Sequence, residues 1–291
     1  MARGLDHIVH AVRDIDAAAE RYRGLGFTVG ARNLHPPEWG TQNHIVQFDG
    51  CFVELLALAD PSKIAPHAPR RFSFGAFNRD FLARGQGLSM LVLEGRDTPE
   101  EAEAFRAAGI GDFAPFDFER QALRPDGSSV NVAFSLAFAS DAAAPDIGFF
   151  TCRQHHPENF WNPTFQRHAN TASAVAGVVL IADDPSRHQS FLSAFTGERE
   201  QLATASGITL MTPRGEIQVM DPKAFADHFG VLPPDTARGA RLAALRFTVN
   251  DFEAAATLLR ASGAPVHHRM GRVVFGPDAA MGATLVFEPR R

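Results

Sequence analysis

The sequence predicts an α+β protein built from four consecutive units, each a strand, a helix and further strands. Three observations support this fold class. Apolar runs of strand length each precede a residue that can cap a helix, a glycine ends each helical segment, and further apolar runs complete each unit. The order recurs at intervals of roughly 65–90 residues, which is typical of an internal repeat of architecture.

The elements follow from these signals in order along the chain. The opening strands of the units are predicted at residues 7–12, 88–93, 175–182 and 242–249. The predicted helix caps are Asp14 or Asp16, Thr98, Asp184, and Asn250 or Asp251. The predicted helix ends are Gly24 or Gly26, Gly109, Gly197 and Gly263. The closing strands are predicted at 27–29, 43–48, 51–58, 128–138, 207–211, 216–220, 273–275 and 283–287.

Composition excludes several classes of protein. A net charge of -5 provides no basic field for a phosphate backbone, so we expect no nucleic-acid partner. Cys51 and Cys152 lie far apart and outside a C-x-x-C motif, which fits a reducing compartment. No apolar run reaches membrane-spanning length, so we expect a cytoplasmic protein without a membrane partner. The 25 Phe against one Tyr indicate dry apolar surfaces.

Two stretches carry a resemblance to a known family. LDHIVHAVRDIDAAAERYRGLGF (5–27) and WGTQNHIVQFDGCFVELLAL (39–58) resemble the first module of the vicinal oxygen chelate superfamily, in its glyoxalase-like branch. The resemblance implies four βαβββ units that pair into two curved-sheet halves, each sheet enclosing a cup that often holds a divalent metal. We expect a first glyoxalase-like half at 1–140, a connector at 141–172 and a second half at 173–291.

The resemblance implies metal ligands on the first and last strands of a module, at His7 and Glu54. The residue pattern supports the same assignment. Glu54 shares a strand face with Phe52 and Leu56, and burial of a carboxylate on an apolar face costs free energy unless the group is paired or bound to a cation. Imidazole and carboxylate suit a divalent ion such as Zn, Mn, Fe or Ni. A buried His7–Glu54 ion pair without metal remains the alternative.

The other units depart from the ligand pattern of the family. The matching positions of the second unit carry Met90 and Asn131, so the four-ligand isomerase site is not present as such. The ligand set of extradiol dioxygenases is also missing from the second half, where the matching positions carry Gly177, Ala244, Gln218-Val219 and Val286. We therefore expect the third and fourth units to be scaffold, with Glu288 and the His267-His268 pair at the surface or at strand edges.

The segment at 149–168 is rich in histidine and aromatic residues. It is either a linker anchored by its aromatic side chains or a lid that donates a histidine to the His7–Glu54 pair. If it is a lid, we expect His156 as the third metal ligand, because Pro157 holds its backbone extended, and Trp161 as a cover over the substrate.

The stretch at 35–44 lies between two strands of the first unit and can reach the rim of the cup. Trp39, Thr41 and Asn43 can hold a polar substrate there, and the resemblance favours Gly40, Thr41 and Asn43. His10 shares a strand with His7 but faces the other way, so we expect it to be packed or at the surface.

The sequence leaves two functions open. One is a metal-dependent enzyme, a lyase, isomerase or dioxygenase, that acts on a small oxygen-rich metabolite with Glu54 as the catalytic base. The other is a metal-free binding protein that sequesters a small aromatic or amphipathic compound. In both cases the expected partner is a small molecule. A homodimer is also compatible with the sequence.

Overall fold

The computed structural model describes residues 1–123 and 127–290. The elements of the first half are β1 (Leu5–Ala11), α1 (Ile15–Gly24), β2 (Asn33–Leu34), β3 (Thr41–Phe48), β4 (Cys51–Leu58), α2 (Phe74–Arg84), β5 (Gly87–Glu94), α3 (Thr98–Ala107), β6 (Phe116–Leu123), β7 (Ser129–Ala139) and β8 (Gly148–Gln154). Short 3-10 helices lie at Pro37–Trp39, Pro61–Lys63 and Pro185–His188.

A short helix, α4 (Pro157–Phe160), lies between the halves. The second half contains β9 (Ala172–Ile181), α5 (Gln189–Thr196), β10 (Leu202–Thr204), β11 (Gly207–Met211), β12 (Glu216–Met220), α6 (Pro222–Phe229), β13 (Arg241–Val249), α7 (Phe252–Ala261), β14 (His267–Arg269), β15 (Arg272–Phe275) and β16 (Thr284–Pro289).

Aspartates cap the helices that open the units. The side chains of Asp14 and Asp251 accept hydrogen bonds from backbone N–H groups in the first turns of α1 and α7. The cap of α3 is Asp97, one residue before the predicted Thr98, because Asp97 keeps an extended backbone while Thr98 is already helical. The capping residues in the sequence therefore located the starts of these helices to within one residue.

The strands form two eight-stranded sheets, ordered β2-β3-β4-β1-β5-β8-β7-β6 and β10-β11-β12-β9-β13-β16-β15-β14. In each sheet the first and last strands of a unit pair in parallel, as β1 with β4 and β5 with β8. Two units then join through antiparallel first strands, β1 with β5 and β9 with β13. This arrangement confirms the predicted α+β class and the four paired βαβββ units.

One boundary differs from the prediction. Strand β8 belongs to the first sheet, so this half extends to Gln154 rather than to 140, and the predicted connector loses its first residues. The prediction ended the second unit at β7 and therefore compared Asn131 with Glu54, although Asn131 binds Glu119 across β6 and β7. The last strand of that unit is β8, whose polar residues were assigned to a connector.

One face of each sheet enters a core that the two halves share. This core contains Ile8 and Leu91 from the first sheet, with Val178 and Leu245 from the second. His10 lies in the same layer, where it contacts the hydroxyl of Tyr22 and the carbonyl oxygen of Met281, at 2.8 and 3.0 Å. The opposite orientation predicted for His10 relative to His7 is therefore correct.

The other face of each sheet lines a cup. In the first half this face is apolar and aromatic and includes Val9, Leu56, Met90, Val132, Phe134, Leu136, Phe138 and Phe150. The residue alternation of β1 and β4 places His7 and Glu54 on this face. In the described residues, no helix is long and apolar enough to cross a membrane.

Candidate functional site

His7 and Glu54 face each other across two neighbouring parallel strands. His7 lies on β1, and Glu54 lies on β4 beside Val9, so the two side chains emerge on the same face. The Nε2 atom of His7 is 3.9 Å from Oε2 of Glu54, and both residues are 5% exposed. The first unit thus buries an imidazole and a carboxylate side by side in an aromatic cup.

Asp6 determines which ring nitrogen of His7 carries the proton. Its Oδ1 atom lies 2.5 Å from Nδ1 of His7. Because an ionised carboxylate only accepts hydrogen bonds, Nδ1 donates, and in a neutral ring Nε2 then carries a lone pair directed at Glu54. The ring is also held by stacking on Phe52, with centroids 4.3 Å apart. Two electron-rich atoms, Nε2 of His7 and Oε2 of Glu54, therefore face each other, and a cation between them could bind both.

His35 is the third polar member of this cluster. Its Nε2 atom is 3.3 Å from Oε1 of Glu54, and its Nδ1 atom is 2.8 Å from the hydroxyl of Thr41. The prolines at 36 and 37 and the 3-10 helix that follows turn the chain so that His35 points back into the cup. This loop was expected at the rim of the cup, but His35 was not among the predicted ligands, because nothing in the sequence except its place in the loop indicated it.

Asn43 completes the surroundings of the carboxylate. Its Nδ2 atom lies 2.5 Å from Oε1 of Glu54 and 3.0 Å from Nε2 of His35. Burial acts to raise the pKa of Glu54, but the hydrogen bonds with His35 and Asn43 and the nearby His7 outweigh it, so this pKa lies below its usual value. Glu54 is therefore an anion at neutral pH, as a metal ligand must be.

These side chains open into a small cavity with aromatic walls. Its free volume is about 50 Å³, enough for several water molecules or a small ligand. The wall residues are Trp39, Phe52, Phe74, Phe118, Phe134, Phe150 and Phe160, with Ile45, Leu136 and Cys152. One cation, Arg120, also lines the cavity, and burial lowers the pKa of its guanidinium.

The residues predicted to bind substrate divide into two groups. Trp39 and Asn43 line the cavity, and Thr41 supports His35 from outside it. Gly40 does not line the cavity; its φ of 58° and the carbonyl oxygen of Asp60, 2.4 Å from where a Cβ would lie, explain the glycine. Trp161 lines a separate surface pocket and packs against Phe160.

The histidines of the predicted connector lie outside this cavity. His156 precedes α4, where its half-exposed side chain is 3.4 Å from Glu158. His155 binds the hydroxyl of Ser135, at 2.6 Å, and the buried His168 bonds to backbone atoms of Thr28 and Gln47. The structure thus does not bring His156 to Glu54, because the backbone turn that starts α4 directs the side chain away, and His35 occupies the neighbouring position.

A second group of donors surrounds the other edge of His7. Asp6, His7 and Cys152 offer ligand atoms that all lie within 4.8 Å of one another. Burial, together with the charges of Asp6, Glu54 and Glu101, raises the pKa of Cys152 well above its usual value. The sulfur is therefore a thiol in the metal-free protein, and Nδ1 of His7 is already bonded to Asp6. These three residues are therefore better suited to holding His7 in place than to binding an ion.

A scan against protein-family models identifies the family of this chain. The family model described as a glyoxalase-like domain matches residues 5–196. The chain belongs to this family. The predicted relationship to glyoxalase-like proteins is thereby confirmed. A search of curated proteins found no match.

Solved structures show that the likeness in fold extends over the whole chain. A hypothetical protein from Staphylococcus aureus matches with a TM-score of 0.70 and 12% identity, covering 99% of this chain and 100% of the other. A mutant of 4-hydroxymandelate synthase from Streptomyces coelicolor matches with a TM-score of 0.57 and 11% identity, covering 100% and 93%.

A xylose isomerase-like TIM barrel/4-hydroxyphenylpyruvate dioxygenase fusion protein matches with a TM-score of 0.51 and 14% identity, covering 91% of this chain and 40% of the other. At these identities, all three matches show the fold alone.

Proposed function

We propose that this glyoxalase-like protein is a metal-dependent enzyme of the dioxygenase type, with His7, His35 and Glu54 as the ligands of one divalent ion. Two imidazoles and one carboxylate form the facial set typical of non-haem Fe(II) oxygenases. Two of the structural neighbours are named as a 4-hydroxymandelate synthase and a 4-hydroxyphenylpyruvate dioxygenase fusion. The donor set and these neighbours favour a dioxygenase over a lyase or an isomerase.

The observation that carries the proposal is the pair of facing acceptor atoms. Nε2 of His7 and Oε2 of Glu54 are 3.9 Å apart, a separation that an ion about 2.1 Å from each atom can span. Asp6 and Thr41 bind the other ring nitrogens of His7 and His35, as outer partners of metal-bound histidines commonly do. The residues present therefore fit a divalent ion.

Other features of the chain would keep Glu54 charged and oriented and would shield the ion from bulk water. The low pKa of Glu54 keeps the carboxylate charged, and Asn43 fixes its orientation by donating to Oε1. The aromatic walls exclude bulk water, which strengthens the electrostatic interactions inside the cavity. When bound, the ion would supply Lewis-acid and redox chemistry at its open coordination positions.

The second candidate is a metal-free binding protein. It is favoured by the hydrogen bonds that Asn43 and His35 already provide to Glu54, because a buried carboxylate with such partners needs no ion. In that case His7 would stay bonded to Asp6 through Nδ1, and Glu54 would be held by Asn43 and His35. The two candidates differ in metal content and in catalytic activity.

Metal content therefore tests the proposal. We expect protein prepared without a polyhistidine tag or chelator to hold one divalent ion per chain by elemental analysis. Glu54→Gln keeps the shape of the side chain but removes its charge, and it should weaken Mn²⁺ binding at least about 10- to 100-fold in titration calorimetry. The exposed Glu20→Gln is the matched control. Stoichiometric metal in both Glu54→Gln and His7→Ala would refute this centre.

A further inference from the structure

Arg120 lies where the two ends of the first sheet meet. It is on β6, one edge strand, and its Nη1 atom donates to Oδ1 of Asn33 on β2, the opposite edge strand, at 3.2 Å. Trp39 strengthens the same closure by packing against Phe118, with ring centroids 4.8 Å apart. The curved sheet therefore closes around the cavity, and Arg120 is part of the closing wall.

The guanidinium faces the cavity without an anionic partner. In the parts of the chain that the structure describes, its hydrogen bond is to the neutral amide of Asn33, and no carboxylate forms an ion pair with it. Phe118, two residues earlier on the same strand face, also lines the cavity. A partly buried charge without a counter-ion is costly, and the pKa of Arg120 is lowered by burial although the more distant Glu54 acts to raise it.

The polar groups on this side of the cavity form one chain. Arg120 donates to Asn33, Asn33 donates to Oδ1 of Asn43, and Asn43 donates to Glu54. The single charges of Glu54 and Arg120 cancel, so a divalent ion would leave the cavity positive, even after Asp6 is counted. Such a cavity attracts an anion, and Arg120 is the cation that the metal ligands leave available for it.

We propose that Arg120 binds the carboxylate of a small substrate whose apolar part packs against Phe118 and Phe134. The planar guanidinium suits a carboxylate because two of its N–H groups can bind both oxygens. A free volume of about 50 Å³ restricts the ligand to a few non-hydrogen atoms unless the closing wall moves. The proposal deepens the enzymatic function above by specifying the substrate class, but the anion contact itself does not depend on the ion.

Carboxylic acids and their amides test this assignment, because each pair has the same shape but a different charge. We would measure acetate against acetamide, and propionate against propionamide, by ligand-observed NMR with the full chain, metal-free and loaded with Zn²⁺. Wild-type protein should prefer the acids by about tenfold or more, since charge-assisted hydrogen bonds are stronger than neutral ones. Arg120→Gln should abolish the preference and Arg120→Lys should restore part of it.

Matched controls separate this proposal from the metal proposal. Arg106→Gln changes an exposed arginine on α3, which pairs with Glu103, and should leave the preference intact. Mn²⁺ binding should be retained in all these variants, because none of them removes a proposed metal ligand. A wild-type preference that persists in Arg120→Gln would overturn the assignment to Arg120, as would failure of both acids to bind. Inorganic phosphate that competes more strongly than either acid would overturn the carboxylate class.

The two failures have different signatures. If wild-type protein binds no metal but loses acid preference in Arg120→Gln, the anion site stands and the enzymatic proposal fails. If His7→Ala abolishes acid preference and Arg120→Gln does not, the ion is the anion receptor and the role of Arg120 is refuted.

Discussion

The two cups of this protein have the same strand order but differ in the side chains that face into them. In the first cup His7 and Glu54 face a cavity, whereas the register of the second cup places Gly177 and Gln218 at the corresponding positions. Arg246, on the strand next to Gly177, is 2% exposed and donates to Gln218. One architecture thus leaves a pocket in one half and fills the matching space with an arginine in the other.

Buried ion pairs occupy the second cup in place of a candidate metal centre. Arg246 pairs with both Glu216 and Glu288, and Arg272 also contacts Glu288, at 2.9 Å. Glu288, expected at the surface or at a strand edge, is in fact buried, while His267 and His268 lie exposed on β14. The fold therefore supplies the cup, while a few side chains on its first and last strands decide whether it can hold a ligand.

Removing the buried arginine should have the largest effect on stability. Arg246→Met leaves Glu288 and Glu216 without their main cation, and breaking a buried pair in this way typically costs about 3–5 kcal/mol. Urea unfolding measures the loss. The exposed Arg260→Met should change stability by less than about 0.5 kcal/mol. If Arg246→Met is as stable as wild type, the ion pairs do not hold the second cup together.

The effect of His10 on the pH dependence of stability tests the core that the two halves share. Burial lowers the pKa of His10 to about 4, so between this value and about 6.5 the unfolded chain binds a proton that the folded protein does not. The free energy of unfolding should therefore fall by about 2 kcal/mol from this residue when the pH drops from 7.5 to 5. Equilibrium unfolding at both pH values measures the change. His10→Gln should lose this component, and an unchanged pH dependence would refute it.

Asp146 should make a smaller contribution to the contact between the halves. Its carboxylate binds Arg84 of the first half, at 2.7 Å, and Arg238 of the second half, at 3.1 Å. Burial acts to raise the pKa of Asp146, but these arginines and Arg241 outweigh it and lower the pKa. Its contribution is therefore present above the unfolded pKa and is lost as the pH falls through the lower folded value.

Asp146→Asn tests this contact directly. We expect a loss of about 1–2 kcal/mol at neutral pH, discounted because Arg84 and Arg238 are partly exposed to solvent. Thermal or urea unfolding of the full chain measures it, with the exposed Asp112→Asn as the control. A variant that matches wild type at neutral pH would show that this cluster does not join the halves.

The fold could be predicted from the sequence because its signals are local. Asp14 and Asp251 mark helix starts where they were expected, and Gly197 ends its helix with a φ of 73°. Strand β8 was missed because the histidines that follow it indicated a connector, while its pairing with β5 and β7 is a long-range contact. Sheet membership of such a strand depends on partners distant in sequence.

The candidate site was only partly predictable, for the same reason. Alternation along β4 and the family resemblance both selected Glu54, and His7 followed from the same resemblance. His35 lies between strands, where no periodicity indicates the direction of a side chain, and Arg120 reaches the cavity only because the sheet closes on itself. The predicted third ligand was His156, because Pro157 was expected to hold its backbone extended, and only the fold shows that His35 and not His156 reaches Glu54.

The choice between these two histidines tests the central claim, which is that the first cup holds a divalent ion on His7, His35 and Glu54. Mn²⁺ affinity should be measured by titration calorimetry for His35→Ala and His156→Ala, with circular dichroism to confirm folding. We predict that His35→Ala loses at least about 10- to 100-fold in affinity and that His156→Ala binds like wild type. Wild-type affinity in His35→Ala, or a comparable loss in His156→Ala, would contradict the claim.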